Sequence, residues 1–155
     1  MDQVTEKRIK LLHPSIRDEI TCLVDKANAQ LTSHSEIRIV QGLRTFEEQD
    51  ALYIQRPKVT NAKGGQSIHN YGLAIDFALL IDDKEISWDL KKDWDGDKIS
   101  DWMEVVKVFR DAGYTWGGQW KFTDNPHFEK RGDWKNLLVK YKAKDFITGT
   151  NYVKL

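Results

Sequence analysis

The run from Leu73 to Ile81 is apolar at every position except Asp76. Its composition predicts a strand, and Gly72 allows a tight bend at its entrance. A lone carboxylate inside such a strand needs a partner, because an unpaired buried charge is strongly unfavourable. Alternation along the strand sends the Asp76 side chain opposite Ile75 and Phe77. Whatever fold forms must therefore gather compensating groups on the Asp76 face.

The surrounding segments supply ordinary building blocks. Pro14, Ile16, Ile20, Leu23, Val24, Ala27 and Leu31 repeat with the helical period and predict a helix over 14–32. Residues 36–40 are β-branched and partly alternating, as expected of a strand. Thr45 with Glu48 forms a capping-box pattern for a helix over 46–55 that stops before Pro57, leaving Arg44 at the strand-to-helix junction. Residues 58–67 carry loop chemistry. Asp101 with Glu104 suggests a cap for a helix whose apolar face holds Trp102, Val105, Val106 and Phe109, ended by Gly113. His127 to Glu129 reads as a short strand, and Asp133 as the cap of a last helix. Helices and short strands without regular βαβ alternation predict an α+β fold, a short, largely antiparallel sheet flanked by helices, in a single domain over 1–155.

Composition excludes several partners. The 24 Lys+Arg balance 24 Asp+Glu, and no basic cluster suited to phosphate backbones is present, so nucleic acid is not expected. No apolar stretch is long enough to span a bilayer. Residues 1–12 mix charges and lack the apolar core of a secretory signal, so export by that route is not expected. The single cysteine, Cys22, lies among Ile20, Leu23 and Val24 and is expected to be a buried structural thiol.

Two histidines stand in segments dense with glycine, aromatics and acids. They are His69, in the run Ser67 to Asp76, and His127, in the run Asp124 to Glu129. A catalytic zinc ion takes three protein ligands and keeps a fourth position open, so His69, Asp76 and His127 would suffice. On one helix His69 and Asp76 would be about 10.5 Å apart along the axis, too far to share an ion. A bend at Gly72 followed by a strand brings them together instead. A turn through Pro126 would aim Asp124 at the same place, making it the candidate general base that moves a proton from water to a leaving amine. Glu129, on the His127 face of its strand, is a rival base or an orienter of a ligand. Arg44 could stabilise charge developing on an attacked carbonyl, or simply pair with Glu47 or Glu48.

The pattern Ser-x-His-x-x-Gly-x-Ala-x-Asp over 67–76, Asp-x-Pro-His-Phe-Glu over 124–129, and Gly-Leu-Arg-Thr over 42–45 resembles the zinc peptidases of bacterial cell-wall peptides. That family includes D-alanyl-D-alanine carboxypeptidases and dipeptidases and the L-alanyl-D-glutamate endopeptidases, phage endolysins among them. Over about residues 36–130 the resemblance implies zinc held by His69, Asp76 and His127, with Asp124 as base and Arg44 stabilising the transition state. Aspartate rather than glutamate at the base position looks like the endolysin type. Residues 45–52, 60–77 and 116–120 look like the L-alanyl-D-glutamate endopeptidase branch of phages and bacilli. The implied activity is zinc-dependent hydrolysis of the peptidoglycan stem peptide between L-alanine and D-glutamate by a monomer. Such an enzyme would be kept in the host cytoplasm until lysis. A D-alanyl-D-alanine carboxypeptidase with the same site, or a wall-binding zinc module that does not cut, are the alternatives. Ser67 is expected near metal or substrate, its alternative being a turn hydroxyl.

Three further features stand apart. Asp93, Asp95, Asp97, Asp101 and Glu104 put oxygen-bearing side chains at positions 1, 3, 5, 9 and 12 of an EF-hand-like calcium loop. Lys98 stands where that loop wants glycine, and a solvated acidic turn is the alternative. Trp116 and Trp120 flank a Gly-Gly turn and could line a substrate groove or pack in the core. His13 and His34, near the ends of the first predicted helix, are expected in surface or capping roles.

Overall fold

The computed structural model describes residues 1–32 and 34–155. Helix α1 (Gln3–Lys10), α2 (Arg17–Leu31) and strand β1 (Ser35–Gln41) are followed by α3 (Phe46–Ile54) and β2 (Ala74–Ile81). Then come β3 (Glu85–Ser87), α4 (Asp101–Asp111), β4 (Thr115–Trp116), β5 (His127–Glu129) and α5 (Trp134–Lys142). Single 3₁₀ turns occupy Pro14–Ile16, Ile68–Tyr71 and Gly117–Gln119. The helix α1 falls in a charged stretch with no evident apolar period. It forms because Asp2 caps it, accepting from the Val4 and Thr5 N–H groups at 3.0 and 3.2 Å.

Every strand pairing is antiparallel, which confirms the α+β expectation. Strand β2 is central, with β1 along one edge. Its other edge is shared by β5 at Ala74 to Asp76 and by β3 at Leu79 to Ile81. The outer strand β4 pairs with β5. The odd residues of β2 face the core, where Phe77 lies 4.3 Å from Trp102 of α4 and 5.4 Å from Phe128 of β5, ring centre to ring centre. Phe109 stacks on Phe128 at 4.7 Å, so α4 is fixed to the sheet by aromatic contacts. Burying each such ring contributes roughly 1.5–3 kcal/mol. Helices α1 and α2 lie against β1, with Ile9, Ile20, Val24 and Leu31 buried.

This packing leaves the Asp76 face free for chemistry. Opposed residues of an antiparallel pair project to the same side, and the register sets Asp76 directly across from His127. Across β1 the register slips between Ile39 and Gln41, a bulge opposite Asp76 that turns the chain toward Arg44. Two local expectations are corrected, and a third is narrowed to one of its alternatives. Cys22 is exposed, on the outer side of α2, because its neighbours Leu23 and Val24 take the inward positions. The cap of α4 is Ser100, whose hydroxyl accepts from the Met103 N–H at 3.3 Å, while Asp101 is the first helical residue and turns into the preceding loop. Of the surface and capping roles expected for His13, capping is realised, by a buried side chain. It caps the Pro14–Ile16 turn through the Ser15 N–H at 3.1 Å, and its Nε2 reaches the Val153 carbonyl at 2.7 Å.

Candidate functional site

His69 is delivered by the 3₁₀ turn Ile68–Tyr71, which Gly72 ends at φ +68°. A Cβ on Gly72 would stand 2.7 Å from the His13 backbone nitrogen, so no other residue fits this bend into β2. Asn70 holds the turn in place. Its amide donates to the Arg44 carbonyl at 3.0 Å, and its oxygen accepts from the Gly65 and Ser67 N–H groups at 2.9 and 3.2 Å.

His127 enters from a turn built on Gly117. The Asp124 N–H donates to the Gly117 carbonyl at 2.9 Å, and the His127 N–H to the Asp124 carbonyl at 3.2 Å. A side chain on Gly117 would strike the Asp124 carbonyl oxygen at 2.4 Å. Trp116 donates its indole N–H to the Asn125 carbonyl at 2.7 Å, which ties β4 to this turn. It packs against the core and is not among the residues that line the cleft.

Three donor atoms converge: His69 Nε2, His127 Nδ1 and Asp76 Oδ1 are separated pairwise by 3.2, 3.2 and 3.0 Å. The other nitrogen of each ring already has an acceptor, His69 Nδ1 at the Gly42 carbonyl (2.8 Å) and His127 Nε2 at Glu129 Oε1 (2.8 Å). With those N–H groups directed outward, neutral rings turn their lone pairs toward each other and toward a carboxylate. Such an arrangement is repulsive unless positive charge, a proton or a metal ion, lies among the three. The donor set therefore fits a zinc-like ion. Of the two expected roles for Glu129, the geometry realises the orienter, since its carboxylate addresses the ring's far side.

The electrostatics agree. Burial alone would raise the Asp76 carboxyl, but hydrogen bonds with His127 and His69 outweigh it and hold Asp76 well below the usual carboxylate range. Burial lowers the His127 imidazole, yet Asp76 and Glu129 prevail and push it up to about 9. Both shifts describe a pocket that attracts positive charge. Asp124 extends to 3.9 Å from His127 Nδ1, with its carboxyl raised by burial and by the Asp76 charge. Arg44 does not form the alternative pair with Glu47 or Glu48; it donates to Gln49 Oε1 at 3.0 Å. Burial lowers its guanidinium, offset by the fields of Asp76, Glu48 and Asp124, and it stays charged.

These groups line one cleft of about 460 Å³, together with Ser67 and Trp120, whose ring centre is 5.1 Å from that of His127. The structure thus brings together His69, Asp76, His127, Asp124, Arg44, Ser67 and Trp120. His34 pairs with Asp82 at the surface, and the acidic loop from Asp93 to Glu104 lies away from this cleft. Sequence reasoning missed Asn70, Gln49 and the Gly42 carbonyl. Asn70 could have been suspected from its place inside the histidine run; a carbonyl acceptor has no residue signature.

The sequence model of a family described as D-alanyl-D-alanine carboxypeptidase, peptidase M15, matches residues 60–130. The chain is also 47% identical over 124 residues to the peptidoglycan L-alanyl-D-glutamate endopeptidase CwlK of Bacillus subtilis (strain 168), a match covering 76% of this chain and 72% of that protein. At that identity and coverage, and with both histidine segments inside the matched region, the chain belongs to the M15 family of cell-wall peptidases and is a metallopeptidase.

Proposed function

We propose that this chain is a zinc-dependent peptidoglycan hydrolase that cuts the stem peptide between L-alanine and D-glutamate, working as a phage-type endolysin. The observation that carries the reading is the convergence of His69 Nε2, His127 Nδ1 and Asp76 Oδ1 beside Asp124 and Arg44 in one cleft. The choice of bond is supported by the likeness to a named L-alanyl-D-glutamate endopeptidase. The endolysin role, with the protein held in the host cytoplasm until lysis, is supported by aspartate at position 124.

His69, Asp76 and His127 would hold the ion. When bound, zinc acidifies a water molecule and polarises the scissile carbonyl. Asp124 takes the proton of the attacking water on a carboxylate oxygen and passes it to the amine nitrogen as the C–N bond breaks. Arg44, held by Gln49, stabilises the negative charge that grows on the carbonyl oxygen. Trp120 and Ser67 form walls against which the peptide lies.

Digestion of purified peptidoglycan tests the whole reading. Zinc-loaded protein should release fragments with a new L-alanine carboxyl and a new D-glutamate amine, chelation should stop this, and added zinc should restore it. Release of free D-alanine would instead establish the carboxypeptidase activity for which the matched family is named.

A further inference from the structure

We propose that the loop from Asp93 to Glu104 is a calcium site, separate from the catalytic cleft. Oxygens of Asp93, Asp95 and Asp101 lie within 4.8 Å of one another, as do those of Asp95, Asp97 and Glu104, so Asp95 joins the two groups into one cluster. An acidic cluster alone means little, since exposed carboxylates repel one another at small cost in water. The deciding atom is Glu104 Oε2. Glu104 is only 8% exposed, its Oε2 is buried without a hydrogen-bond partner, and its carboxylate reaches to within 4.8 Å of oxygens of Asp95 and Asp97 with no cation paired to it. Among the described residues no ion pair reaches it. A buried carboxylate aimed at other carboxylates is stable only when protonated or when a cation sits among them.

The loop backbone is arranged for the second solution. Asp93 accepts from the Gly96 and Lys98 N–H groups at 2.6 and 2.9 Å, Asp95 from Asp97 at 3.1 Å, and Asp97 from Ile99 at 2.7 Å. Asp101 is held by the Trp94 N–H at 2.9 Å and by the Ser35 hydroxyl. Each acid keeps lone pairs that those bonds do not use. Lys98 occupies the sixth position at φ +78°, the left-handed conformation for which a calcium loop ordinarily uses glycine. An all-oxygen donor set of carboxylates suits a hard cation, and the spacing, with glutamate last, suits calcium rather than the smaller magnesium ion. The loop joins the start of β1, through Ser35, to the first turn of α4. Calcium would therefore fasten α4 to the sheet without entering the reaction.

The test uses zinc-loaded full-length protein in calcium-free buffer, and its readout is independent of peptidase activity. Calcium should raise the unfolding temperature by several degrees, magnesium at the same concentration should not, and calcium should displace terbium whose luminescence is excited through Trp94. Glu104→Gln should abolish both responses while leaving zinc content and peptidoglycan digestion unchanged. Asp97→Asn, at an exposed position, gives the same readout should Glu104→Gln fail to fold. Absence of a calcium shift in the wild type, an equal shift with magnesium, or an undiminished shift in the variants would overturn the proposal.

Discussion

His69, Asp76 and His127 place one carboxylate between two imidazoles, whereas the loop from Asp93 to Glu104 brings five carboxylates together. The first cluster is fastened from behind, with each ring nitrogen not facing the centre bound to an acceptor. The second is fastened mostly by its own backbone, and one oxygen, Glu104 Oε2, is left without a partner. Mixed nitrogen and oxygen donors with little net charge suit a transition ion, while pure carboxylate suits a hard ion and, when the ion is absent, leaves repulsion concentrated on its buried member, Glu104. The same fold thus shows two ways to poise donors, by fixing lone-pair direction and by accumulating charge.

The largest expected effects lie in the first cluster. His127→Ala should remove both zinc binding and peptidoglycan hydrolysis, read by metal analysis and fragment mass spectrometry. Asp124→Ala should retain zinc but lower turnover by on the order of 10²–10⁴-fold, the usual size of a general-base contribution. Loss of zinc in the Asp124 variant would show that its carboxylate belongs to the metal set instead. Next in size is Glu129→Ala, which frees the outer His127 nitrogen. Zinc affinity measured against a competing chelator should fall about 10–100-fold, as for other residues that orient a metal-binding histidine. An unchanged affinity would mean that the fastening from behind is incidental, and the contrast between the clusters would lose its main support.

How much of this was legible in the sequence follows from the same contrast. His69 and Asp76 share one short run, and the lone acid in an apolar strand required a partner, so their association could be inferred from residue types alone. His127 could be nominated as the third ligand from its residue type and the ligand count of a zinc site, but its position directly across from Asp76 is a long-range register of the sheet that no local pattern shows. The features that align the rings, the Gly42 carbonyl and Asn70, are a backbone atom and a residue whose role depends on where a loop returns. Trp116 and Cys22 were harder for a similar reason. An aromatic beside a turn fits packing or a groove equally well, and an apolar neighbourhood along a helix does not say which face turns inward. The acidic loop was fully visible as a pattern, but the burial of Glu104, which separates a site from a solvated turn, appears only in three dimensions.

A smaller effect sharpens the second half of the comparison. Burial, reinforced by the charges of Asp97, Asp95, Asp101 and Asp93, pushes the Glu104 carboxyl up to about 7 from an ordinary value of 4.5. The folded state then binds more protons than the unfolded chain between these values. The associated stability is fully present below 4.5 and is lost as pH rises through about 7. Without calcium, thermal unfolding curves should therefore shift to lower temperature across that interval, by about 2–4 °C for each kcal/mol lost at this chain length. The Glu104→Gln protein should show a flatter profile, and saturating calcium should flatten that of the wild type. A calcium-free wild type whose profile matched that of Glu104→Gln would mean that Glu104 carries no titration burden, and the loop would be no more strained electrostatically than the histidine cluster.

The smallest effect concerns the backbone of the same loop and can be separated from its charge. Lys98 and Gly96 both lie in the left-handed region, at φ +78° and +80°, and a Cβ on Gly96 would meet nothing within 4 Å. Substitution at either position therefore changes conformational cost without creating a clash. A residue with a Cβ in this region costs roughly 1–2 kcal/mol, while glycine returns about 0.4–1 kcal/mol of that through the entropy of its unfolded chain. Lys98→Gly should thus stabilise the protein by about 0.5–1 kcal/mol, and Gly96→Ala should destabilise it by a similar amount. Urea unfolding would record both as shifts in midpoint with an unchanged slope. Lys98→Gly also removes a positive charge from an acidic loop, so Lys98→Ala serves as the control that removes the charge and keeps the Cβ. Opposite shifts for the two glycine exchanges, with Lys98→Ala gaining nothing, would assign the effect to backbone geometry. Removing the Lys98 charge from among carboxylates adds repulsion, so a loss in Lys98→Ala measures that cost. A Lys98→Gly protein no more stable than Lys98→Ala would overturn the backbone assignment.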